Sequence, residues 1–238
     1  MSEHTAKAFD VDLQGLARLV AEMGGLAEKE IADAVDALAK NDAALAQRVM
    51  AADLATDALQ REIEEKAILT IARRQPMAVD LRDIVASLRV SNDLERIGDL
   101  AKNIGKRVIA LNGDFPPASL IRGVEHMADL VLSQLKDVLD AYARRDVVKA
   151  IAVWKGDEAV DAMYTSLFRE LLTYMMEDPR NITFCTHLLF CAKNIERMGD
   201  HATNIAETVH YMVEGRTLTD ERPKGDTTSS ITAMPARS

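Results

Sequence analysis

Glu95-Arg96-Ile97-Gly98-Asp99, followed by Asn103-Ile104, returns as Glu196-Arg197-Met198-Gly199-Asp200, followed by Asn204-Ile205, 101 residues further along the chain (95 to 196, 103 to 204). Each copy sits in a stretch of helical apolar period, so its two acids fall four residues apart on one helix face. Like charges in that register repel by about 0.2–0.5 kcal/mol. One such pair is unremarkable. A matched second copy asks for a compensating cation or a partner, and it also announces a supersecondary unit written twice.

Working outward, the repetition continues. Asp36-Ala-Leu-Ala-Lys-Asn-Asp42 matches Asp140-Ala-Tyr-Ala-Arg-Arg-Asp146, and Asp53-Leu-Ala-Thr-Asp57 matches Asp157-Glu-Ala-Val-Asp161, both at a shift of 104 (36 to 140, 53 to 157). The turns at Arg74-Gln75-Pro76 and Asp178-Pro179-Arg180 also correspond. Three helices per copy follow, near 9–40, 43–73 and 78–111, then near 118–144, 147–177 and 181–214. Asn41-Asp42 and Arg145-Asp146 supply capping chemistry for the middle helices. Pro76 and Pro179 stop them and open the third ones. The breaker cluster at 112–117, Asn-Gly-Asp-Phe-Pro-Pro, marks the boundary between copies. The expected organisation is a first three-helix unit over 1–112, a second over 113–215 and a disordered tail over 216–238, rich in Thr, Ser, Pro and Gly. The fold class is all-α, as two tandem three-helix bundles related by a pseudo-twofold.

Composition agrees. Hydrophobic residues make up 48% of the 238, but aromatics only 4%, and there are 6 prolines, a palette for helix packing rather than sheets. A formal net charge of −9 argues against nucleic-acid binding and against direct adsorption to anionic lipid. No apolar run has the length needed to span a bilayer, and the N-terminus lacks a secretory pattern. Cys185 and Cys191 lie too far apart for a CxxC pair and fit reduced thiols. These features predict a soluble cytoplasmic protein that meets membranes only through partner proteins.

With Glu95 as the zero direction of its helix, Asp99 falls at about 40° and Asn103 at about 80°, while Ile97, Ala101, Ile104 and Val108 fall between about 180° and 240°. The second copy gives the same wheel for Glu196, Asp200 and Asn204. The oxygen-bearing side chains are therefore expected to face away from the apolar stripe, toward solvent. Asp53/Asp57 and Asp157/Asp161 form the same pairs on the middle helices. If middle and third helices are antiparallel neighbours, four carboxylates and an amide line one seam in each copy. A solvated acidic face would account for any single pair. Four pairs in two matched sets favour a cation, with carboxylate and amide oxygens suited to Mg, Ca or Mn or to bridged iron or zinc. Salt bridges from Arg96 and Arg197 are the competing explanation. Glu64 and Glu207 are weak extra candidates. Gly98 and Gly199, costly in a helix interior, suggest close helix approach or backbone access beside the acids.

Other chemistry is missing. There is no GxxxxGK[ST], GxGxxG or GxSxG, and no HExxH among the five histidines. Glu207-Thr-Val-His210 satisfies ExxH, but the first copy reads Lys106-Arg-Val-Ile109, so the paired motif of carboxylate oxidases is incomplete. His187 near the cysteines and His201 beside Asp200 read as ordinary helix residues, and Met175, Met176 and Trp154 as packing. No nucleophile–base arrangement is present, and an enzyme is not expected.

The stretch Arg74-Gln-Pro-Met-Ala-Val-Asp-Leu-Arg82, with Ser91-Asn-Asp-Leu-Glu-Arg-Ile-Gly-Asp99 and Asn103-Ile104, resembles the PhoU family of phosphate-signalling regulators over about residues 5–214. The resemblance implies two three-helix bundles carrying multinuclear metal clusters of iron, zinc, magnesium or manganese. The implied ligands are Asp53, Asp57, Glu95 and Asp99 with Asn103 in one copy, and Asp157, Asp161, Glu196 and Asp200 with Asn204 in the other. It further implies a negative regulator of the phosphate-starvation (Pho) response, coupling the ATPase of the high-affinity phosphate ABC transporter to a phosphate-sensing histidine kinase. A homodimer is expected on the same ground. The alternative from another class is a carboxylate-bridged metal storage or oxidase protein.

Overall fold

The computed structural model describes residues 2–111 and 118–219, with side chains described from residues 9 and 119 onward in the two segments. The six helices are α1 (Ser2–Lys40), α2 (Ala43–Arg74), α3 (Val79–Leu111), α4 (Ala118–Arg144), α5 (Val147–Glu177) and α6 (Ile182–Glu214), with a 3₁₀ turn at Pro179–Asn181 before α6. The expected boundary at 112–117 and, apart from residues 216–219, the expected tail lie outside the described residues. Of residues 216–219, Leu218 packs against the core, and the Arg216 carbonyl lies 3.0 Å from His210 Nδ1.

Local chemistry accounts for the corners. Asp42 caps α2 by accepting from the Leu45 N–H at 2.9 Å, and Asp146 caps α5 by accepting from the Lys149 N–H at 2.9 Å. The residues before these caps, Asn41 and Arg145, take left-handed backbone (φ 50° and 55°), reversing the chain in two residues. Asn tolerates that conformation. Arg145 is a poorer choice, but its side chain pairs with Asp83 on α3. Gln75 closes α2 in the same region (φ 49°), and Pro179 starts the 3₁₀ turn.

Within each repeat the three helices pack on one another, and the two repeats join through α3 against α6 and α1 against α4. Each helix at that junction meets its own counterpart, the relation a two-fold imposes. The junction is antiparallel. Arg89 lies over the Tyr211 ring (4.9 Å) at one end, and Arg107 over Phe190 (4.3 Å) at the other. Ser87 and Tyr142 hydroxyls meet at 2.9 Å across it. The core is continuous through both repeats. Leu16, Met23, Ile31, Ile84, Leu94, Ile97, Ile104, Leu120, Met127, Leu135 and Leu171 are among its fully buried members. Burial at α1 positions 16, 20, 23, 27, 31, 34 and 38 traces the three–four spacing of an amphipathic helix. Among the described residues no helix is long and apolar enough to cross a membrane.

Candidate functional site

The acidic phrases lie where α2 runs antiparallel to α3 and where α5 runs antiparallel to α6. Lys102 of α3 reaches Asp53 of α2, while a Cβ on Gly105 would lie 3.1 Å from the Ala46 carbonyl, so rising positions on one helix meet falling positions on the other. The geometry corrects one expectation. Most of these carboxylates do not project into solvent: Asp53, Asp157, Asp161 and Glu196 are buried, Asp57, Glu95 and Asp200 are partly covered, and Asp99 keeps 40% of its side chain exposed. The wheel was right about direction relative to the apolar stripe. It could not know that the neighbouring helix covers that direction.

The first seam is ion-paired. Lys102 Nζ lies 2.5 Å from Asp53 and 3.6 Å from Asp99, while Arg96 lies 3.4 Å from Glu95 and 3.7 Å from Asp99. The competing cation is thus chiefly a lysine that the sequence reading did not single out. Burial holds the Glu95 carboxyl above its usual range. Arg96 opposes this, and the charges of Asp99, Asp57 and Asp53 add to it. In the second seam Lys193 donates to Glu196 Oε1 at 2.8 Å and also lies over the Tyr164 ring. Burial again raises the Glu196 carboxyl, against Lys193 and with Asp200 and Asp161. Lys102 bridges Asp53 of α2 to Asp99 of α3, and Asp157 Oδ1 of α5 lies 3.6 Å from where a Cβ on Gly199 of α6 would sit, so each seam draws acids from both of its helices.

A further acid enters the first seam from α1. Glu30 is only 4% exposed, its Oε1 accepts from Thr56 Oγ1 at 2.8 Å, and its Oε2 lies 2.7 Å from where a Cβ on Gly98 would sit. Gly98 therefore makes room for a carboxylate, which is a more definite role than close helix approach. In the second seam a Cβ on Gly199 would meet Gln134 Oε1 at 3.5 Å and Asp157 Oδ1 at 3.6 Å. Glu30 was missed because it sits within the apolar stripe of α1. Its alignment with Gln134 at the shift of 104 was the available signal.

The two asparagines behave differently. Asn103 Oδ1 accepts from Lys106 at 3.0 Å, and Asn204 turns its amide to Asp93, 3.3 Å away across the α3–α6 junction. His201 joins that contact with Nδ1 2.8 Å from Asp93 Oδ1, so it is a half-buried bridge between repeats rather than an ordinary helix residue. Asn204 thus lines the inter-repeat cavity of about 420 Å³ with Arg89, Asp93 and Glu207. Glu207 accepts from Trp154 Nε1 at 3.0 Å while His210 turns to the Arg216 carbonyl, which separates the ExxH pair. Trp154 is packed as expected, but Met176 is 86% exposed. Cys185 and Cys191 are buried, and burial pushes the Cys191 thiol up to about 12. Glu64 is exposed.

Among the described residues no three His, Cys, Asp or Glu side chains converge in a ligating arrangement. The donor chemistry nonetheless fits a hard cation. Glu30 Oε2, Glu95 Oε2, Glu196 Oε2 and Gln134 Oε1 are buried oxygens without a hydrogen bond, all at the seams. A buried carboxylate oxygen in that state is costly unless a proton, a water or a cation answers it, and Glu95 Oε2 has Arg96 at 3.4 Å.

A family model for the PhoU domain matches residues 20–108 and 124–209, one match per repeat. The chain is 61% identical over 228 residues to the phosphate-specific transport system accessory protein PhoU homolog of Rhizobium meliloti (strain 1021), covering 96% of each chain. It is 56% identical to the corresponding homolog of Caulobacter vibrioides (strain NA1000 / CB15N), covering 96% of this chain and all of that one. The crystal structure of PhoU from Pseudomonas aeruginosa superposes with a TM-score of 0.83 at 41% identity, over 87% of this chain and all of that one. That of the phosphate transport system regulatory protein PhoU from Streptococcus pneumoniae gives 0.81 at 29% identity, over 88% and 99%. With the domain matched in both repeats and these identities sustained over nearly the full length, the chain belongs to the PhoU family.

Proposed function

We propose that this chain is a non-enzymatic, cytoplasmic regulator of phosphate uptake. In this reading it represses the phosphate-starvation response by linking the ATPase of a high-affinity phosphate transporter to a phosphate-sensing histidine kinase. The observation that carries the reading is the near full-length match to phosphate-specific transport system accessory proteins. The helical scaffold, without a nucleophile–base arrangement among the described residues, suits an adaptor. Its acidic balance suits a protein that reaches a membrane through partners.

The two seams are the proposed metal centres. Asp53, Asp57, Glu95 and Asp99 would hold ions in the first, and Asp157, Asp161, Glu196 and Asp200 in the second. A bound divalent ion would supply positive charge along the seam that these acids line. The chain's own residues do the rest. Glu95 and Asp99 are carried on α3, which also forms the junction with α6, so a change in how α2 closes on α3 would bear on the helix that joins the repeats. Lys102 and Lys193 hold the acids together electrostatically and would give way to the cation.

Two measurements test this. Pull-down of the transporter ATPase and the kinase on the full chain should recover both, and recovery of neither would remove the adaptor reading. Elemental analysis of protein purified without chelator should find metal, and replacing Glu95, Asp99, Glu196 and Asp200 together by Ala should remove it and weaken partner recovery. Partner recovery unchanged after metal loss would separate the metal from the signalling role.

A further inference from the structure

Glu30 is a carboxylate in a place where α1 otherwise buries apolar side chains, between Ala27 and Ile31. Placing a charge there is costly unless something compensates it. One hydroxyl does so in part: Thr56 Oγ1 donates to Oε1. The other oxygen, Oε2, is buried without a hydrogen bond and lies over the bare backbone of Gly98, the residue between Glu95 and Asp99 on the seam side. The second repeat has the same backbone and different chemistry. Gln134 stands for Glu30, and Val160, whose Cγ1 would be 3.5 Å from a Cβ on Gly199, stands for Thr56. Acid and hydroxyl occur together in one repeat; amide and methyl occur together in the other.

We propose that Glu30 is a fifth carboxylate of the first seam, and that it makes the seams unequal: the first takes a divalent cation such as Mn(II) more tightly than the second. This rests on the reading of both seams as metal centres. The first then offers Glu30, Asp53, Asp57, Glu95 and Asp99, and the second Asp157, Asp161, Glu196 and Asp200 with a neutral amide. Affinity for hard cations rises with the number of anionic oxygens. The resident lysines do not cancel the difference, because each seam has one, Lys102 on Asp53 and Lys193 on Glu196. Arg96 adds a cation to the first seam, but its side chain is 54% exposed and its charge is screened by solvent.

The test is Mn(II) titrated into the chelator-treated full chain, with free Mn(II) followed by electron paramagnetic resonance. The seams are told apart by the paired variants Glu95→Gln/Asp99→Asn and Glu196→Gln/Asp200→Asn. The expected result is two affinity classes, the tighter one lost with the first pair. Glu30→Gln should weaken that class by about ten- to a hundredfold, toward the second. Gln134→Glu combined with Val160→Thr should strengthen the second class, which keeps the idea testable if Glu30→Gln destabilises the fold. Equal classes in the unsubstituted chain, or a first class indifferent to Glu30→Gln, overturns the inequality while leaving both seams as metal sites. No Mn(II) bound at either seam overturns the metal reading and this inference together.

Discussion

Where the first repeat places Glu30, Thr56 and Lys102, the second places Gln134, Val160 and Thr203 at the equivalent positions, and Thr203 is fully buried with its hydroxyl donating to the Asp200 carbonyl at 2.7 Å. The apolar partners did not diverge in this way. Ile97, Ala101, Ile104 and Val108 on α3, and Met198, Ala202, Ile205 and Val209 on α6, are buried in both. Close packing tolerates little change in volume or polarity inside the stripe. The seam positions exchange more freely: acid for amide at Glu30 and Gln134, hydroxyl for methyl at Thr56 and Val160, and ammonium for hydroxyl at Lys102 and Thr203. The duplicated scaffold thus keeps its packing and lets the chemistry of its two centres separate.

The largest effect that distinguishes the repeats lies beside the seams. Trp154 is buried and hydrogen-bonded to Glu207, whereas its first-repeat counterpart, Met50, is only half-buried against Gly105. Trp154→Ala should lower the unfolding free energy by about 3–5 kcal/mol and Met50→Ala by about 1–2, read from urea denaturation. Equal costs would mean that the second repeat is not the more tightly anchored at this level.

Next comes the cation specific to the first seam. Lys102→Met removes the partner of buried Asp53 and leaves it near Asp99. Because Lys102 is 29% exposed, the loss should be about 1–2 kcal/mol rather than the full cost of an unpaired buried charge. Millimolar Mn(II), on the order used for weak carboxylate sites, should restore the melting temperature. A loss that no divalent ion repairs would assign Lys102 to packing alone.

The glycines give a smaller and opposite-signed contrast. Gly199→Ala meets only ordinary contacts at 3.5 Å and beyond, so it should stabilise α6 by up to about 1 kcal/mol. Gly98→Ala drives a methyl to 2.7 Å from Glu30 Oε2, and it should be neutral or destabilising until Glu30→Gln or Glu30→Ala relieves it. Parallel thermal melts of the two variants decide this. Identical shifts would show that Glu30 is not held against α3.

The smallest effect is on pH dependence. Burial raises the carboxyls of Glu30, Glu95 and Glu196 in the folded chain, so the folded state binds protons more readily than the unfolded one. Their contribution to stability is fully present below the unfolded carboxyl value and is lost as pH rises through the raised folded values. The chelator-treated chain should melt a few degrees lower at about pH 7 than at about pH 5, and Glu30→Gln should flatten that slope. Melting that rises with pH would mean the acids are better paired than the seam geometry indicates.

Much of the fold was readable because helices announce themselves locally. Asp42 and Asp146 cap the helices expected of them, and the ends of α2 to α6 fall within a residue or so of the spans set by Pro76, Pro179 and the apolar period. The site was readable as four acidic pairs, because spacing of four is also local. What escaped was everything that one helix does to another. Glu196 pointed toward solvent on its own wheel and is covered by a neighbour. Lys102 looked like any surface lysine. Glu30 sits in an apolar stripe whose period gave no reason to single it out, and His201 and Asn204 gave no sign that Asp93 faces them from the other repeat.

The sequence by itself determined the duplicated all-helical architecture and the membership of the acids in two matched sets, since both follow from periodicity along a single chain. Only the tertiary structure decided that the acids line buried seams, that Glu30 enters one of them and Gln134 the other, and that α3 and α6 join the repeats. The physical reason is that burial and charge pairing are set by atoms brought together across helices, about 8–10 Å apart axis to axis, from positions tens of residues distant in sequence.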